Sequence, residues 1–368
     1  MQVKTAKAAI LTESRKPLVV DEIALPDALD AGQVLVKIFY TTICGAQINE
    51  IEAVKGPDKF LPHLLGHEAS AEVIEIGPGV TAVKPGDTVV LHWRPSQGIQ
   101  SRPPAYTWGG RKLNAGWVTT FNDHAVVSEN RMTVIPADFD RKVAPLFGCA
   151  VTTAAGVIGN DAKLKVGESV AVFGVGGVGL NVVQFAALAG GNPIVAVDLL
   201  DHKLDMARAR GATHCINAGK VGDVAAAVRA IVGDKGPDKV IETTGVKGVI
   251  EMAYELTHAD GTCVLVGVPH EKVSISTLPI HFNKVLTGSH GGDARPHVDI
   301  PRIIRLVEAG KLSFEGIITH EFSLQDVNTA LDLVRSGSAG RVVLDVGAGA
   351  VSRGPLGPAH GSSAAAER

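Results

Sequence analysis

The spacing of hydrophobic residues changes near residue 150. Before that point, short runs alternate between apolar and polar positions and are separated by Gly and Pro, as in QVLVKIFY and EASAEVIEIGPG. Alternation with a period of two is typical of half-buried antiparallel strands, because successive side chains point to opposite faces of the sheet. We therefore predict that residues 1–150 form the main part of a barrel-like β domain.

A different pattern follows between residues 151 and 291. Short Val- and Ile-rich runs such as ESVAVFG, PIVAVD and GTCVLVG alternate with helical patterns such as VVQFAALAG and VAAAVRAIVG. Strands that alternate with helices form βαβ units, which bury a parallel sheet between two layers of helices. The segment is predicted to be an α/β domain with a doubly wound parallel sheet.

The last part of the chain carries two helical patterns, DIPRIIRLVEAG and SLQDVNTALDLVRSG, and then the strand-like run GRVVLDV. We expect residues 292–346 to return to the first domain. Residues 347–368 are rich in Gly, Ala, Ser and Pro. Such a composition buries too little apolar surface to fold, so it predicts a disordered tail.

Composition and charge exclude several classes of function. The formal net charge of -3 gives no reason to expect nucleic acid or an anionic membrane as a partner. With no secretory leader and no apolar run of about eighteen residues, we expect a cytoplasmic protein. Four cysteines in so long a chain do not make a disulfide framework, which leaves the question of which of them bind a metal.

A glycine-rich turn follows the first strand of the predicted parallel sheet. The run VAVFGVGGVGLNVVQF places Gly174, Gly176 and Gly179 in the pattern G-x-G-x-x-G, directly after a strand and at the start of a helix. The first glycine allows a tight turn, the second admits a pyrophosphate, and the third lets the helix pack on the strand. Amides at the helix N-terminus would then face the phosphates. The pattern predicts a dinucleotide site.

An acidic residue lies where it can discriminate between the two nicotinamide dinucleotides. Asp198 ends the next predicted strand, nineteen residues after Gly179. A carboxylate there accepts hydrogen bonds from the adenosine ribose and repels a 2′-phosphate, which favours NAD over NADP. His202 and Lys203 follow closely and weaken that preference slightly.

Three residues far apart in the chain suggest a metal site. Taken singly, a cysteine such as Cys149 is more often a small buried hydrophobe, and His67 could be a structural histidine beside a turn. Together, Cys44, His67 and Cys149 supply two thiolates and one imidazole, which with an open fourth position make a catalytic zinc set. Glu68 is placed to support that set. Cys215 and Cys263 lie inside predicted strands of the α/β domain and are interpreted as structural.

From about residue 5 to residue 345 the chain resembles the zinc-dependent medium-chain alcohol dehydrogenases. The matching pieces are Cys44-Gly45, Gly66-His67-Glu68, GPGVTAVKPGDTVV, Gly148-Cys149, the glycine-rich turn, VGVP at 266–269 and SGSAGRVV at 336–343. The resemblance implies a GroES-like β-barrel catalytic domain and a Rossmann domain. It also implies a hydride transfer between an alcohol and NAD in homodimers or homotetramers.

The resemblance extends to individual residues. It implies that Cys44, His67 and Cys149 bind the catalytic zinc, with Glu68 beside them. It places Arg341 near the cofactor phosphates, and Thr153 and Val268 beside the nicotinamide. The predicted cofactor-binding residues are Gly174, Gly176, Gly177, Val178, Gly179, Asp198, Lys203, Thr153, Val268 and Arg341.

Relatives often carry four cysteines for a second, structural zinc in the loop that follows the GDTVV strand. Here the loop HWRPSQGIQSRPPAYTWGGRKLNAGW has no cysteine, so one zinc per chain is expected. Trp93, Trp108 and Trp117 could pack the loop instead. Trp93 also matches a position that lines the substrate pocket in relatives, with Ala46 and Arg94 as further predicted pocket residues.

The same loop is basic. No acid occurs between Asp87 and Asp123, whereas Arg94, Arg102, Arg111 and Lys112 accumulate there. Such a run is either a solvated surface or a positive rim that captures a carboxylate or phosphate. The second interpretation predicts a polar or anionic alcohol.

The usual route for the alcohol proton is missing. Where many relatives have Ser or Thr, Asp and His after the first ligand, this chain has Ala46, Gln47 and Asn49. The side chain of Ala46 cannot donate or accept a hydrogen bond. An ordered water or another group, with His92 and His124 as candidates, would have to replace the relay.

Three interpretations of function remain at this point. The leading one is a zinc- and NAD-dependent dehydrogenase of an alcohol. The second is a zinc-free NAD(P)H-dependent quinone or alkene reductase of the same architecture, which would not need all three zinc ligands. The third is a dinucleotide-binding protein without turnover, favoured only by the broken relay.

Overall fold

The computed structural model describes residues 1–347 and 353–356. Its elements comprise two largely antiparallel sheets and one parallel sheet. The strands of the first 150 residues are β1 Thr5–Leu11, β2 Val19–Ala24, β3 Gln33–Thr42, β4 His63–Leu64, β5 Ala69–Ile76, β6 Thr88–Leu91, β7 Tyr106–Trp108, β8 Arg111–Leu113, β9 His124–Ser128 and β10 Met132–Val134.

Later in the chain come nine more strands and most of the helices. The strands are β11 Val170–Phe173, β12 Ile194–Asp198, β13 His214–Asn217, β14 Lys239–Glu242, β15 Thr262–Leu265, β16 Val285–Gly288, β17 Ile318–Ser323, β18 Arg341–Asp345 and β19 Arg353–Pro355. The α-helices of the described residues are α1 Gly45–Ile51, α2 Ala150–Gly156, α3 Gly179–Leu188, α4 Asp201–Arg208, α5 Val224–Val232, α6 Lys247–Leu256, α7 Pro296–Glu308 and α8 Val327–Arg335.

The two antiparallel sheets are built mainly from the first 150 residues. One has the order β4-β1-β2-β7-β8, and the other has the order β10-β6-β5-β3-β18-β17-β19 with β9 also paired to β3. Strand β18, close to the end of the described chain, pairs antiparallel with β3, so Val343 lies opposite Thr42. This pairing brings the C-terminal part of the chain back to the first sheets.

The third sheet is parallel and has the order β13-β12-β11-β14-β15-β16. Strands β12 and β13 lie on one side of β11 and strands β14 to β16 on the other, so the order reverses beside β11. Ligands of such sheets bind at the carboxyl ends of the strands where the order reverses. The glycine-rich turn follows β11 and lies at this point.

Several elements differ from the sequence interpretation. Strands β16 and β17 were not predicted, because their side chains are only partly buried and their apolar signal is weak. Part of the expected disordered tail is ordered: β19 pairs antiparallel with β17, with Glu321 opposite Arg353. The prediction for residues 348–352 and 357–368 lies outside the described residues. Within the described part of the chain, every helix is too short or too polar to cross a membrane.

Candidate functional site

Three separate segments bring the predicted metal ligands together. Cys44 directly precedes α1, His67 lies in the loop between β4 and β5, and Cys149 directly precedes α2. One ligand atom from each residue lies within 4.8 Å of the other two. Phe147 and Val151, on either side of Cys149, are buried in the core beneath the parallel sheet. The position of that thiol is therefore fixed by core packing.

The surroundings of His67 fit a metal ligand. Its Nδ1 contacts the amide of Gln47 on α1, and Oε1 of the same amide accepts a hydrogen bond of 2.9 Å from the Cys44 N–H. Its Nε2 is buried and has no hydrogen-bond partner. A buried polar atom without a partner is costly, so this nitrogen is suited to a ligand that the protein does not itself supply. Two thiols and an imidazole form a donor set that zinc prefers.

Mutual contacts shift the protonation of the ligands. A hydrogen bond from the Cys149 thiol lowers the pKa of Cys44 well below its usual range, and the same contact raises the pKa of Cys149. Burial lowers the pKa of His67, but the hydrogen bond and charge of Cys44 outweigh burial and raise it. One thiolate is thus already favoured, as a thiolate metal ligand requires.

A buried ion pair lies beside the ligands. The Arg341 guanidinium contacts the carboxylate of Glu68 and donates a 2.9 Å hydrogen bond to Thr42 Oγ1. Glu68 is fully buried, and Oε2 of its carboxylate has no partner. Burial raises the pKa of Glu68, while the positive charge of Arg341 opposes that rise. A hypothetical Cβ on Gly177 would lie 2.7 Å from Arg341 Cδ, so this arginine reaches the glycine-rich turn.

The glycine-rich turn is tightly packed at two of its glycines and open at a third. Gly174 has φ +84, a conformation that L side chains rarely adopt. A Cβ on Gly179 would lie 1.9 Å from the Gly174 carbonyl oxygen, which explains the close contact of helix and strand. A Cβ on Gly176 would meet no atom within 4 Å. The space above Gly176 is where the G-x-G-x-x-G turn admits a pyrophosphate.

Asp198 lies where a ribose-binding acid is expected, at the end of β12. Its carboxylate accepts hydrogen bonds from the backbone N–H groups of Val175, Leu199 and Leu200, between 2.8 and 3.1 Å long. The acid is therefore rigidly held beside the glycine-rich turn.

The other predicted cofactor residues differ in how far they are buried and in what they contact. Thr153 is buried on α2, and its N–H donates to the Cys149 carbonyl. Val268 is 56% exposed, although its backbone packs against Gly245. Val178 directly precedes α3. Lys203 lies on α4, with its Nζ 4.0 Å from where a Cβ on Gly337 would be.

A cavity of about 810 Å³ opens beside His67. Its apolar wall includes Phe60, Leu64 and Trp117, and two cations of the basic loop, Arg102 and Lys112, also line it. The loop therefore contributes a positive charge to a space that the histidine borders. Glu50, Asp58 and His63 line the same cavity and were not singled out from the sequence. Glu50 lies three residues after Gln47 on α1, a spacing that shares one helix face and could have indicated it.

The predicted pocket residues Ala46, Trp93 and Arg94 are not among the described residues that line this cavity. The Arg94 guanidinium donates to the carbonyl oxygen of His290, contacts its Nδ1 at 2.8 Å, and lies 3.6 Å from Asp293. The ring of Trp93 meets that of His290 edge to face. Both residues thus bind the segment after β16, and the charge of Arg94 is already paired.

Polar contacts hold the cysteine-free loop between β6 and β9. The buried Glu129 carboxylate accepts hydrogen bonds from the N–H groups of Thr81, Ala82 and Ile99, between 2.6 and 2.7 Å long. Trp117 stacks on Arg131 and donates to the Ser101 carbonyl. Trp108 donates to Asp21. Two of the three tryptophans therefore pack the loop, while Glu129 was not noticed in the sequence.

The two histidines considered as relays lie in other environments. His92 is buried, with its Nδ1 against the Arg94 carbonyl and its Nε2 against Thr133 Oγ1. Burial lowers the pKa of His92 to about 4, so the ring stays neutral near pH 7. His124 starts β9 and contacts Asp123 at 3.1 Å. The contacts of both rings are thus made with residues other than the metal ligands.

Comparisons with known proteins agree with this geometry. Residues 30–137 match the family model of the alcohol dehydrogenase GroES-like domain, and residues 177–309 match that of a zinc-binding dehydrogenase. An alcohol dehydrogenase class-3 of Cereibacter sphaeroides is 32% identical, covering 92% of this chain and 99% of the relative. An S-(hydroxymethyl)glutathione dehydrogenase of Paracoccus denitrificans is 34% identical with the same coverage.

Solved structures agree in fold. An alcohol dehydrogenase zinc-binding domain protein from Burkholderia ambifaria is 25% identical with a TM-score of 0.86, covering 94% of this chain and 99% of that one. A benzyl alcohol dehydrogenase from Acinetobacter calcoaceticus has a TM-score of 0.84 at 24% identity, covering 94% of this chain and 100% of that one. The second likeness shows the fold alone.

Proposed function

This chain belongs to the zinc-dependent medium-chain alcohol dehydrogenases, and on that premise we propose that it transfers a hydride between an alcohol and NAD. The product is an aldehyde or ketone. The observation that carries the proposal is the convergence of Cys44, His67 and Cys149, with a buried and unpartnered Nε2 on the histidine.

We propose that these three residues hold one zinc per chain. When bound there, zinc polarises the alcohol oxygen and makes its proton more acidic. The other two cysteines, Cys215 and Cys263, lie on β13 and β15 of the parallel sheet. The chain therefore has too few cysteines for a separate four-cysteine structural site, and Glu129 supports the corresponding loop instead.

The residues around the turn would bind and orient NAD, which accepts the hydride. The open space at Gly176 and the amides at the start of α3 suit the pyrophosphate, and Arg341 adds positive charge beside Gly177. Arg341 also pairs with Glu68, so one side chain connects the nucleotide site to the metal site. Thr153 and Val268 remain the residues proposed to lie beside the nicotinamide.

The proposed choice of NAD rests on Asp198. Replacing Asp198 with Asn removes the negative charge that repels a 2′-phosphate, so we expect the preference for NAD over NADP to fall about tenfold. The ratio of kcat/KM values for the two cofactors measures it. Asp201→Asn is the matched control, because Asp201 starts α4 and is occupied by Lys220. An unchanged ratio in Asp198→Asn would contradict the assignment.

We propose an alcohol that carries a carboxylate or phosphate. Arg102 and Lys112 line the cavity beside His67, and both are exposed residues. Relatives named S-(hydroxymethyl)glutathione dehydrogenase act on a substrate with carboxylates, which is consistent with such a cavity. Arg94 is not included in this proposed anion site, because its guanidinium contacts His290 and Asp293.

Replacing Arg102 and Lys112 together with Gln should raise KM for a carboxylated alcohol about tenfold. The KM of a neutral alcohol of similar size should stay the same, since only the charge of the cavity wall changes. Arg111→Gln, on the exposed part of β8, is the control. Equal effects on the charged and the neutral alcohol would refute anion recognition.

The function is tested on protein purified without chelators. Elemental mass spectrometry should give about one zinc per chain, and a panel of neutral and anionic alcohols should produce NADH. Zinc near zero that does not return on addition would instead support the zinc-free reductase. NAD binding without turnover of any alcohol would support the non-catalytic alternative.

We also propose that the protein forms homodimers or homotetramers through the edge of the parallel sheet. Strand β16 is at that edge; Val285 on this strand is 45% exposed, and Leu278 and Phe282 just before it are 65% and 66% exposed. Exposed apolar side chains next to an unpaired strand edge are typical of an interface. A single-chain mass by light scattering would contradict this.

A further inference from the structure

The cavity beside His67 contains a group of ionisable side chains that have no role in the proposed function so far. Glu50 is the only ionisable residue of α1, and it lies one helical turn beyond Gln47, which contacts His67. Gln47, Glu50, His63 and His67 all line the cavity. A proton released beside the metal ligands therefore meets Glu50 as the first ionisable side chain along this helix.

His63 is the charged or ionisable side chain recorded nearest to Glu50. Oε1 of Glu50 lies 4.0 Å from Nε2 of His63, and the same nitrogen lies 2.8 Å from Asp58 Oδ2. The other ring nitrogen of His63 lies 3.0 Å from the Leu64 carbonyl, which can only accept. Both ring nitrogens thus contact oxygen atoms, which fix the orientation of the ring.

Exposure separates the roles of the three residues. The side chains of His63 and Asp58 are 7% and 13% exposed, whereas that of Glu50 is 49% exposed. A carboxylate that borders both the cavity and the bulk solvent can take up a proton on one side and release it on the other. The buried pair cannot do this directly.

We propose that Glu50 accepts the proton that the alcohol loses, and that His63, held by Asp58, is its positioning residue. The inference rests on the proposed dehydrogenase function. In the oxidation the alcohol C–H bond breaks and its hydride passes to NAD. The O–H bond breaks as well, and its proton passes through water in the cavity to Glu50 and then to solvent.

The local charges predict the pH dependence. Burial raises the pKa of Glu50, and the charge of Asp58 adds to that rise. The charges of His63, His67 and Lys55 lower it. Arg102 and Lys112 are the other charged groups that line the cavity on the side of the basic loop. Because only the ionised carboxylate accepts a proton, kcat should fall as the pH drops through this raised pKa.

Glu50→Gln tests the proposal in weakly buffered solution. We expect kcat to fall about 100-fold, with KM nearly unchanged, and the low-pH limb of the kcat profile to disappear. Added imidazole or formate should restore kcat in proportion to its concentration, because a small base can replace the lost acceptor. Zinc content and the Kd for NAD should match the wild-type protein. Glu52→Gln, at the end of the same helix and paired with Arg335, is the control.

His63→Asn tests the positioning role. The ring of His63 lowers the pKa of Glu50, so its removal should raise that pKa and move the low-pH limb of kcat to higher pH. A limb that stays in place contradicts the role of His63.

The possible failures are distinguishable. If Glu50→Gln keeps the wild-type kcat and pH profile, the role of Glu50 is refuted while the dehydrogenase function stands. A slow variant that no added base restores also refutes proton acceptance. If the wild-type protein yields no NADH from any alcohol, the proposed function fails, and this inference fails with it.

Discussion

Cys149→Ala is expected to lower the zinc content from about one per chain to near zero. The variant leaves one thiol and one imidazole, which is too few protein ligands to hold a catalytic zinc tightly. Polarisation of the alcohol oxygen by the metal contributes several kcal/mol, so kcat/KM should fall by at least about 1,000-fold. Elemental analysis and the rate of NADH formation measure the two effects.

The structure offers a matched control for the loss of a thiol. Cys263 is also a buried cysteine, but it lies on β15 within the parallel sheet. Cys263→Ala removes the same atom from a position away from the metal ligands and should keep both zinc and activity. Zinc that remains stoichiometric in Cys149→Ala would rule out this cysteine as a ligand, whatever happens to the rate.

Gly176→Val should abolish NAD binding without unfolding the protein. A Cβ at Gly176 enters space that is free of protein atoms within 4 Å, so the fold tolerates it. The same side chain would occupy the place proposed for the pyrophosphate, and we expect the Kd for NAD to rise at least about 100-fold. Calorimetric titration with NAD and a thermal melt separate the two properties.

Gly179→Ala, in contrast, should lower the stability of the protein. Its Cβ would lie 1.9 Å from the Gly174 carbonyl oxygen, a backbone atom that cannot move without opening the turn. We expect a loss of about 1–3 kcal/mol of stability and a lower Tm, as for other overpacked sites. If Gly176→Val lowers Tm as much as Gly179→Ala does, the space at Gly176 is structural and the cofactor assignment loses its main support.

Strongly patterned elements were predictable from the sequence. The runs that became β11 and β12 are fully or almost fully buried, and such strands read as continuous apolar segments. Strands β16 and β17 were not predicted, because partial burial leaves room for polar residues such as Thr287 and His320. The pairing of β19 with β17 lies in a Gly- and Pro-rich segment whose composition favours disorder.

The site was predictable only in part. Residue types and motifs indicated Cys44, His67 and Cys149, and the structure brings their ligand atoms together. The contact between Glu68 and Arg341 joins residues 273 positions apart, and no local pattern encodes it. The contacts of Arg94 with His290 and Asp293 could not be predicted from the sequence either, because these two residues come from a distant segment. A count of basic residues in the loop could not show which of their charges already have a partner in the folded protein.

The pairing of β3 with β18 has a consequence for how the chain folds. Residues 170–288 form the parallel sheet among themselves, whereas the end of β3, from Tyr40 to Thr42, gains its second neighbour only from a strand about 300 positions later. Contacts between distant residues form slowly, because a long loop must close first. During synthesis we expect the dinucleotide domain to become protease-resistant before the pairing of β3 with β18 is made. Early protection of the Ile43 amide, which donates to the Val342 carbonyl on β18, would contradict that order in pulsed hydrogen exchange.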